Sequence, residues 1–547
     1  MHNAPAYLIQ FVFDPASPVA DWPGLEGRPA LTWHKEGQVA VRGTGTPDCV
    51  RLSADRLTVV LGSVPDPSPS PQNGDDAYCA ELARAFAADG VDALVGAQHH
   101  GAALIRGDAI LVARDFPGTT PINYARTPGG WAISSHCELL LALLGADAEP
   151  DPEVFEAFRA SAWVPRGRSL FRGIETVAPG TCLRFTAGGV EPVGRFTWGA
   201  EPGAASLATL DAAADRLDEI FGRCIARSAG AATRVGVALS GGIDSSYLLA
   251  RACDVLGSRR IRAYTFGFGE DDSQVIAARQ VATHLGVELA VTFVEPEDLP
   301  ELLHQIVDIV EAPLGRDHFP GILKGFGSAS GQIEVLLEGF GADPLFGGIY
   351  GYRKIVAKDA TRICRTDPVV HEIVERPDLP ACDTASSSES VSPVRDLMGK
   401  YIGAINGHIA LKARLYHAAC GARMALPYFD RELVEYAEAL PDRFKVGEAG
   451  DKLAMRHAAA RYLPLALANR PKGVTRLRHD AALWSVIVEL AERLLRESPW
   501  CAGLFFTEGS VAPVLRASKN PDRTTSDLYR LWYIVSTHLW SRRFLRR

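Results

Sequence analysis

A buried strand that turns sharply into a helix is the feature that most constrains the fold of this chain. Residues 235–250 read VGVALSGGIDSSYLLA, an apolar run, a Ser-Gly-Gly turn and a second apolar run. A strand that ends in Ser-Gly-Gly at the start of a helix leaves backbone N–H groups uncrowded, and this geometry binds phosphate. The hydroxyls of Ser240 and Ser245 can add donors. The stretch therefore predicts a phosphate site at the end of a strand.

The acid in this loop narrows the prediction. The carboxylate of Asp244 would repel a bare phosphate, but it can hold a magnesium ion that bridges phosphate oxygens. The loop is not a Walker A motif, because no G-x-x-x-x-G-K-[ST] is present. An isolated Gly-Gly is more often only a helix-entry turn, whereas the full S-G-G-x-D-S string between a strand and a helix is far more specific.

The chain is predicted to form two domains, since 547 residues exceed what one hydrophobic core usually serves. Residues 1–203 contain short β-like runs separated by Gly, Pro and Asp, which predicts a mixed sheet sandwich with helices. The small residues at 198–208 predict the linker. Residues 204–547 begin with alternating strands and helices, the pattern of a parallel α/β sheet, and end mostly helical. A Pro/Ser-rich stretch at 376–393 predicts a mobile loop.

Composition excludes several classes of protein. With 47% hydrophobic and 22% charged residues, the chain is neither disordered nor fibrous. A net charge of -8 argues against a general affinity for nucleic acid. The ten cysteines form no C-x-x-C pair, which favours free thiols over disulfides or zinc. No apolar stretch reaches about 18 residues and no signal peptide is evident, so we expect a cytoplasmic protein without a membrane partner.

Two motifs carry a resemblance to a known family. The S-G-G-x-D-S string resembles the pyrophosphate loop of the ATP-pyrophosphatase superfamily, whose members split ATP into AMP and pyrophosphate to adenylate a substrate. VLLEGFGADPLFGGIYGY, at residues 335–352, resembles the asparagine synthetase stretch in which a strand ends in G-x-G-[SA]-D followed by L-F-G-G. Segments at 110–126, 169–185, 426–446 and 451–473 resemble further parts of that family, so the similarity spans most of the chain.

The resemblance implies a fold and a set of site residues. The fold is α/β: an N-terminal Ntn-hydrolase-like αββα sandwich, here an inactive glutaminase, and a C-terminal adenine-nucleotide α-hydrolase-like parallel sheet with a helical extension. The implied catalytic residues are Asp244, Asp343 and Lys472; the two acids would bind Mg²⁺ and Lys472 would neutralise departing pyrophosphate. The implied nucleotide-binding residues are Leu239, Ser240, Gly241, Gly242, Asp244, Ser245, Phe266, Gly339 and Lys472.

The positions of Asp244 and Asp343 in the predicted sheet support part of this set. Two acids on loops at the carboxyl ends of neighbouring parallel strands face one crevice, where α/β sheets bind ligands. A basic segment such as that around Lys472 is, taken alone, more often a solvated surface. Lys452 and Arg456, at i,i+4 spacing, also match family positions, but a solvent-facing helix explains them equally well.

Departures from the family indicate the substrate. Asparagine synthetases that use glutamine begin with a nucleophilic cysteine, whereas the first cysteine here is Cys49. We therefore expect a glutaminase fold without its chemistry, and an amine that belongs to the substrate. The β-lactam synthetases and the lasso-peptide macrolactam synthetases both work in this way. In the former, a tyrosine between the glycines of the G-x-G-[SA]-D turn helps to remove the amine proton, and Phe340 cannot.

The resulting prediction is ATP- and Mg²⁺-dependent macrolactam formation in lasso-peptide biosynthesis. An Asp or Glu side chain of a core peptide is adenylated, and the N-terminal amine of the peptide attacks it. The resemblance implies as partners the core peptide, a leader peptidase and a leader-recognition protein. A β-lactam synthetase, an ammonia-dependent asparagine synthetase or another amide ligase remains an alternative.

Two further questions stay open at the level of sequence. The general base is unassigned; Glu311 is available, although a structural ion pair is the commoner role of a single glutamate. A catalytically dead scaffold that binds a peptide is a different class of protein. The presence of both acids and Lys472 argues against it, since decay would not spare all three selectively.

We predict that the protein releases no ammonia from glutamine, because Cys49 lies far from the expected position of the nucleophile. Glutamate dehydrogenase-coupled detection of ammonia, with boiled protein as the control, measures this directly. Ammonia release above that control would contradict the expectation of an inactive glutaminase domain.

Overall fold

A computed structural model gives the architecture of the chain. The structure describes residues 7–12, 30–34, 40–45, 50–52, 58–61, 77–95, 101–106, 108–145, 147–161, 164–197, 199, 203–314, 318–348, 408–448, 450–471, 481–497, 506, 508–520 and 524–545. The Pro/Ser-rich stretch at 376–393 and Cys49 lie outside these residues. No described helix is both long and apolar enough to cross a bilayer.

The N-terminal part contains two antiparallel six-stranded sheets with helices around them. Its strands are β1 (Tyr7–Val12), β2 (Ala30–His34), β3 (Ala40–Gly45), β4 (Val50–Leu52), β5 (Thr58–Leu61), β6 (Gly101–Arg106), β7 (Ala109–Arg114), β8 (Asn123–Thr127), β9 (Gly130–Ser134), β10 (Ile174–Thr176), β11 (Thr181–Phe185) and β12 (Val190–Arg195). Its helices are α1 (Ala77–Asp89), α2 (Val91–Val95), α3 (Cys137–Leu144) and α4 (Pro152–Ser161).

The two sheets pack face to face. Their strand orders are β10-β8-β9-β1-β3-β2 and β12-β11-β7-β6-β5-β4. Alternate residues of β1, such as Ile9 and Phe11, share one apolar cluster with Ile110 and Val112 of β7, as the period of two in a strand requires. Helix α3 packs against β8 and β9, and α2 against β7, β11 and β12. The predicted sandwich with helices is confirmed, while its derivation from an Ntn hydrolase stays a prediction.

The C-terminal part is built on a parallel sheet. Its strands are β13 (Val235–Ala238), β14 (Ile261–Gly267), β15 (Leu289–Phe293), β16 (Val335–Leu337) and β17 (Arg423–Ala425), followed by the short pair β18 (Val446–Gly447) and β19 (Gly450–Asp451). Its first helices are α5 (Leu210–Ala229), α6 (Ile243–Leu256), α7 (Ser273–Leu285), α8 (Leu299–Val310), α9 (Phe319–Gly325) and α10 (Ala342–Phe346). Further helices cover 408–420, Arg431–Ala439, Leu453–Ala459, Leu465–Ala468, Ala481–Glu497, Glu508–Lys519 and Thr525–Phe544.

The strand order of this sheet is β15-β14-β13-β16-β17, and every pair is parallel. The predicted alternation of strands and helices is therefore confirmed. Strand β13 lies at the centre of this order. Its residues 235–237 are buried, as expected for a strand that is covered on both faces. The loops after β13 and β16 consequently open at the same edge, between neighbouring strands. The predicted boundary between residues 203 and 204 stays a prediction.

Glu311 joins the two parts of the chain. It follows α8 with a left-handed backbone (φ 56°), and its side chain is almost fully buried. Its carboxylate accepts the backbone N–H groups of Cys137 and Glu138, both at 2.9 Å, at the start of α3. Arg414 pairs with it at 3.2 Å. Glu311 therefore caps a helix of the sandwich, and the structural role expected of a single glutamate is confirmed over that of a general base.

We predict that Glu311→Ala lowers the free energy of unfolding by about 3 kcal/mol, because Arg414 loses its buried partner and two N–H groups of α3 lose their acceptor. Urea denaturation followed by circular dichroism measures the change. Glu156→Ala is the matched control, since its pair with Arg159 is solvent-exposed and should contribute about 0–1 kcal/mol. Equal effects of the two substitutions would contradict the capping role.

Candidate active site

The loop after β13 is closed by its own serines. The backbone N–H of Ser240 donates to Oγ of Ser245 at 3.1 Å, and the Ser245 hydroxyl donates to the carbonyl oxygen of Gly242 at 3.2 Å. Ser245 is buried, whereas Ser240 is exposed. Ser245 therefore fixes the shape of the loop from inside, and Ser240 is the serine whose hydroxyl lies at the surface.

Gly241 is required by both its backbone and its surroundings. Its φ is +70°, in the left-handed region. A Cβ atom there would clash with Ala277 and would lie 2.6 Å from the backbone nitrogen of Ala278, both in α7. The loop thus presses on a neighbouring helix, and any side chain at this position would push it away from the edge of the sheet.

Two turns meet at the carboxyl edge of β13 and β16. Asp244 lies in the first turn of α6, and its carbonyl oxygen accepts the Tyr428 hydroxyl at 3.0 Å. Asp343 lies in α10, just after β16. Between them, Gly339 lies so close to the first turn that a Cβ there would be 3.2 Å from the backbone nitrogen of Ser245. The structure therefore brings the predicted Asp244, Asp343 and Gly339 into one site.

Lys452 bridges the two acids. Its Nζ lies 2.6 and 2.7 Å from the carboxylate oxygens of Asp244 and 2.5 Å from Oδ1 of Asp343. The Lys452 side chain is 2% exposed, and the two aspartates are about a quarter exposed. Burial favours a lower pKa of Lys452, but the Asp244 and Asp343 carboxylates outweigh burial and raise that pKa above its usual value. Lys452 therefore carries a positive charge between two negative ones.

The backbone around Lys452 is adapted to this position. Lys452 precedes the helix Leu453–Ala459 with φ 53°, a left-handed conformation that is rare outside glycine. A Cβ atom at Gly348 would clash with both the Lys452 chain and the Asp343 carboxylate. Of the two alternatives, the solvent-facing helix does not apply to Lys452, because its left-handed backbone before the helix directs the side chain into the site. Its i,i+4 spacing to Arg456 could not reveal this.

Arg456 holds the next segment of chain. Its guanidinium donates to the carbonyl oxygens of Ala468 and Arg470 at 2.9 and 3.0 Å, and it pairs with Asp451 at 2.8 Å. These bonds fix the backbone two residues before position 472. Lys472 itself lies outside the described residues. Its predicted role at the pyrophosphate stays a prediction.

The remaining predicted residues lie on β14 and after β13. Leu239 is buried, and its N–H donates to the carbonyl oxygen of Tyr264 at 2.8 Å. The Phe266 ring packs against α9, where a Cβ at Gly321 would clash with it. Both residues border the carboxyl edge of the sheet, and their part in binding a nucleotide stays a prediction.

Phe340 is surrounded by polar groups that the sequence did not reveal. The Nζ of Lys412 lies 4.8 Å from the centroid of its ring, and the His408 ring lies nearly parallel to it at 6.2 Å. Lys412 also pairs with Glu338 at 2.6 Å, and the second oxygen of Glu338 accepts the N–H of Phe340 at 3.1 Å. The predicted packing role of Phe340 is therefore accompanied by a buried ion pair, whose members lie 74 residues apart in sequence.

Comparison with known proteins identifies related sequences. The profile of the asparagine synthase family matches residues 216–542, and that of the glutamine amidotransferase domain matches residues 91–197. A putative glutamine-hydrolyzing asparagine synthetase of Mycobacterium tuberculosis is 26% identical over 66% of this chain and 64% of its own length. Asparagine synthetase 1 of Bacillus subtilis is 24% identical, with the same coverage.

A relative with a different activity matches to a similar extent. The carboxyethyl-arginine beta-lactam-synthase of Streptomyces clavuligerus is 24% identical over 67% of this chain and 62% of its own length. The chain thus spans slightly less than two thirds of these relatives. The match to a solved glutamine-dependent NAD+ synthetase from Acinetobacter baumannii covers 44% of this chain and 56% of that protein, at 19% identity and a TM-score of 0.20.

We predict that Lys452→Met lowers the free energy of unfolding by about 3 kcal/mol, because it leaves two carboxylates facing each other without the buried cation. Added magnesium should raise the melting temperature of this variant more than that of the wild type, since a divalent cation restores the missing charge. Differential scanning fluorimetry measures both. Lys324→Met, which removes a half-exposed pair with Asp298, is the control; an equal or smaller loss at Lys452 would contradict the bridging role.

Proposed function

We propose, because the chain belongs to the asparagine synthase family, that it is an ATP-dependent ligase that activates a carboxylate for amide formation. The observation that carries this proposal is the convergence of Asp244 and Asp343 on Lys452, beside the first turn of α6, which follows the loop at the end of β13. Carboxylates, an ammonium and the N-terminal end of a helix together suit a metal-bound triphosphate. Such a site suits nucleotide activation better than peptide binding by an inert scaffold.

The donor set fits magnesium. Oxygen atoms of Asp244 and Asp343 lie within 2.5–2.7 Å of one ammonium nitrogen, so both carboxylates reach a common point. Carboxylate oxygens are the ligands that Mg²⁺ prefers, usually one or two from the protein, with phosphate oxygens and water completing the shell. When bound, the ion would neutralise the charge that develops on the phosphates. We propose that Asp244 and Asp343 hold it and that Lys452 then turns toward the phosphates.

The proposed reaction has two steps. In the first, a carboxylate oxygen of the substrate forms a bond to the α-phosphorus of ATP, and the bond to pyrophosphate breaks. The Ser240–Ser245 loop would hold the β- and γ-phosphates, and Lys452 and Lys472 would offset the charge on departing pyrophosphate. In the second, an amine nitrogen attacks the acyl carbon, the carbon–oxygen bond to AMP breaks, and the nitrogen loses a proton. The site contributes mainly by holding the reactants together.

We propose that the amine and the acid belong to one peptide, as in lasso-peptide macrolactam formation. The support is Phe340, which stands where β-lactam synthetases carry a tyrosine. The partners would then be a core peptide, a leader peptidase and a leader-recognition protein, all in the cytoplasm. The beta-lactam-synthase relative favours a second candidate, ring closure within a small β-amino acid.

We predict that a synthetic core peptide, encoded by a short open reading frame beside this gene, loses one water with Mg-ATP while AMP and pyrophosphate form. Mass spectrometry measures the loss. The product should resist carboxypeptidase, because a threaded tail is shielded. Replacing the ring-forming Asp or Glu of the peptide by Ala should abolish the reaction, since no carboxylate remains to adenylate.

The controls separate the function from the substrate. Asp343→Asn should reduce turnover by at least about 10²-fold, because it removes a charge that acts at the transferring phosphate. L-aspartate with ammonium chloride and N2-(2-carboxyethyl)-L-arginine test the alternative products. Efficient formation of asparagine or a β-lactam would overturn the peptide substrate alone. Absence of pyrophosphate release with every one of these acids would overturn the ligase proposal itself.

A further inference from the structure

Two histidines lie side by side next to Phe340. The rings of His318 and His408 have their centroids 5.3 Å apart, and His408 also stacks on Phe340 at 6.2 Å with an interplanar angle of 12°. His408 is 4% exposed, whereas His318 is only half-buried. The half-buried imidazole is therefore the one that a bound molecule could reach, and the buried one supports it.

The helices that carry these histidines direct them to the site. Beyond the end of α9, the Phe326 ring lies 6.2 Å from that of Tyr264, in the middle of β14. Earlier in α9, Gly321 lies against Phe266, two residues nearer to the carboxyl end of that strand. Helix α9 thus runs inward from the carboxyl edge of the sheet, with His318 at its outer end.

The helix at 408–420 runs in the same sense. Its Tyr416 meets Phe326 at 4.8 Å, over the middle of the sheet, and its His408 meets Phe340 beyond the end of β16. Phe340 directly follows Gly339, which contacts the loop that contains Ser245. Asp343 lies three residues after Phe340. The histidine pair consequently borders the edge at which the two acids converge.

The proposed reaction needs a group that removes the amine proton, and no residue has yet been assigned to it. An amine that forms an amide must lose a proton, and Phe340 has no group that accepts one. Glu311 caps α3 and so does not serve. Imidazole accepts protons near neutral pH, which makes histidine the commonest general base in enzymes.

Resting on the proposed amide formation, we infer that His318 accepts the proton of the acceptor amine. As the nitrogen–carbon bond forms and AMP departs with the electrons of the broken carbon–oxygen bond, the proton passes from the amine nitrogen to a ring nitrogen of His318. His408 is a positioning residue, because its ring packs against both His318 and Phe319, at 5.3 and 5.0 Å.

A charged pair lies beside the two histidine rings. Among the described residues, Lys412 lies one helical turn from His408 and contacts Phe340, and Glu338 pairs with this lysine at 2.6 Å. Glu338 is thereby engaged twice, by Lys412 and by the Phe340 N–H. The Glu338 carboxylate is therefore already engaged, which leaves His318 as the proposed acceptor of the amine proton.

The test separates the two half-reactions. With the acid from the substrate panel that supports exchange of pyrophosphate into ATP, His318→Gln should slow amide formation by about 10²-fold, while exchange proceeds. Hydroxylamine should bypass the defect and give hydroxamate at the wild-type rate, since it is unprotonated at neutral pH. The rise of the wild-type rate between about pH 6 and 7 should disappear in this variant.

His408→Phe keeps a stacked ring and should lower kcat without changing KM for the acid, and should retain the pH dependence. His304→Ala, on the exposed face of α8, is the matched control and should behave as the wild type. Amide formation by His318→Gln at the wild-type rate would overturn the inference, as would a parallel loss of exchange and amide formation. If the wild type catalyses no exchange with any acid, the proposed function fails, and the inference fails with it.

Discussion

The contact of Lys452 with Asp244 and Asp343 is the interaction on which the site depends. Without a cation between them, two carboxylates at the end of adjacent strands would repel each other across a partly buried space. A left-handed backbone at Lys452 and a glycine at position 348 make room for the ammonium. In the proposed reaction, the same cation would be available to a phosphate group, so one side chain would serve both the free site and that reaction.

The rest of the sheet positions this contact. Strands β13 and β16 are neighbours, so the loops after them must open together. Gly339 and Gly241 allow these loops to touch each other and α7 without side chains between them. The sandwich adds rigidity from outside, since Glu311 and Arg414 of the C-terminal part bind the start of α3. The N-terminal part therefore supports the C-terminal part through these contacts, whether or not it acts on glutamine.

The surroundings of Phe340, where the acceptor amine is proposed to bind, differ from the proposed nucleotide site around Asp244, Asp343 and Lys452. Around Phe340 the structure places a buried Lys412–Glu338 pair and two histidines, and none of them belongs to the S-G-G-x-D-S or G-x-G-A-D motif. A buried ion pair contributes little net stability compared with apolar packing. We therefore expect the Lys412–Glu338 pair to shape the proposed acceptor site rather than to stabilise the fold. Family membership implies the common adenylation chemistry, whereas the proposed role of these residues rests on their positions in this structure.

The sequence alone determined the parallel sheet, the sandwich and the position of Asp244 and Asp343 at the same edge of the sheet. Strand periodicity and loop motifs are local signals, and neighbouring parallel strands end at one edge. It did not determine the place of Lys452, since i,i+4 spacing describes a helix surface and the left-handed residue before the helix depends on tertiary contacts. Glu338 and Lys412 lie 74 residues apart in sequence, and His318 and His408 lie 90 residues apart. Only the packing of α9 and the helix at 408–420 against the sheet brings such distant side chains together.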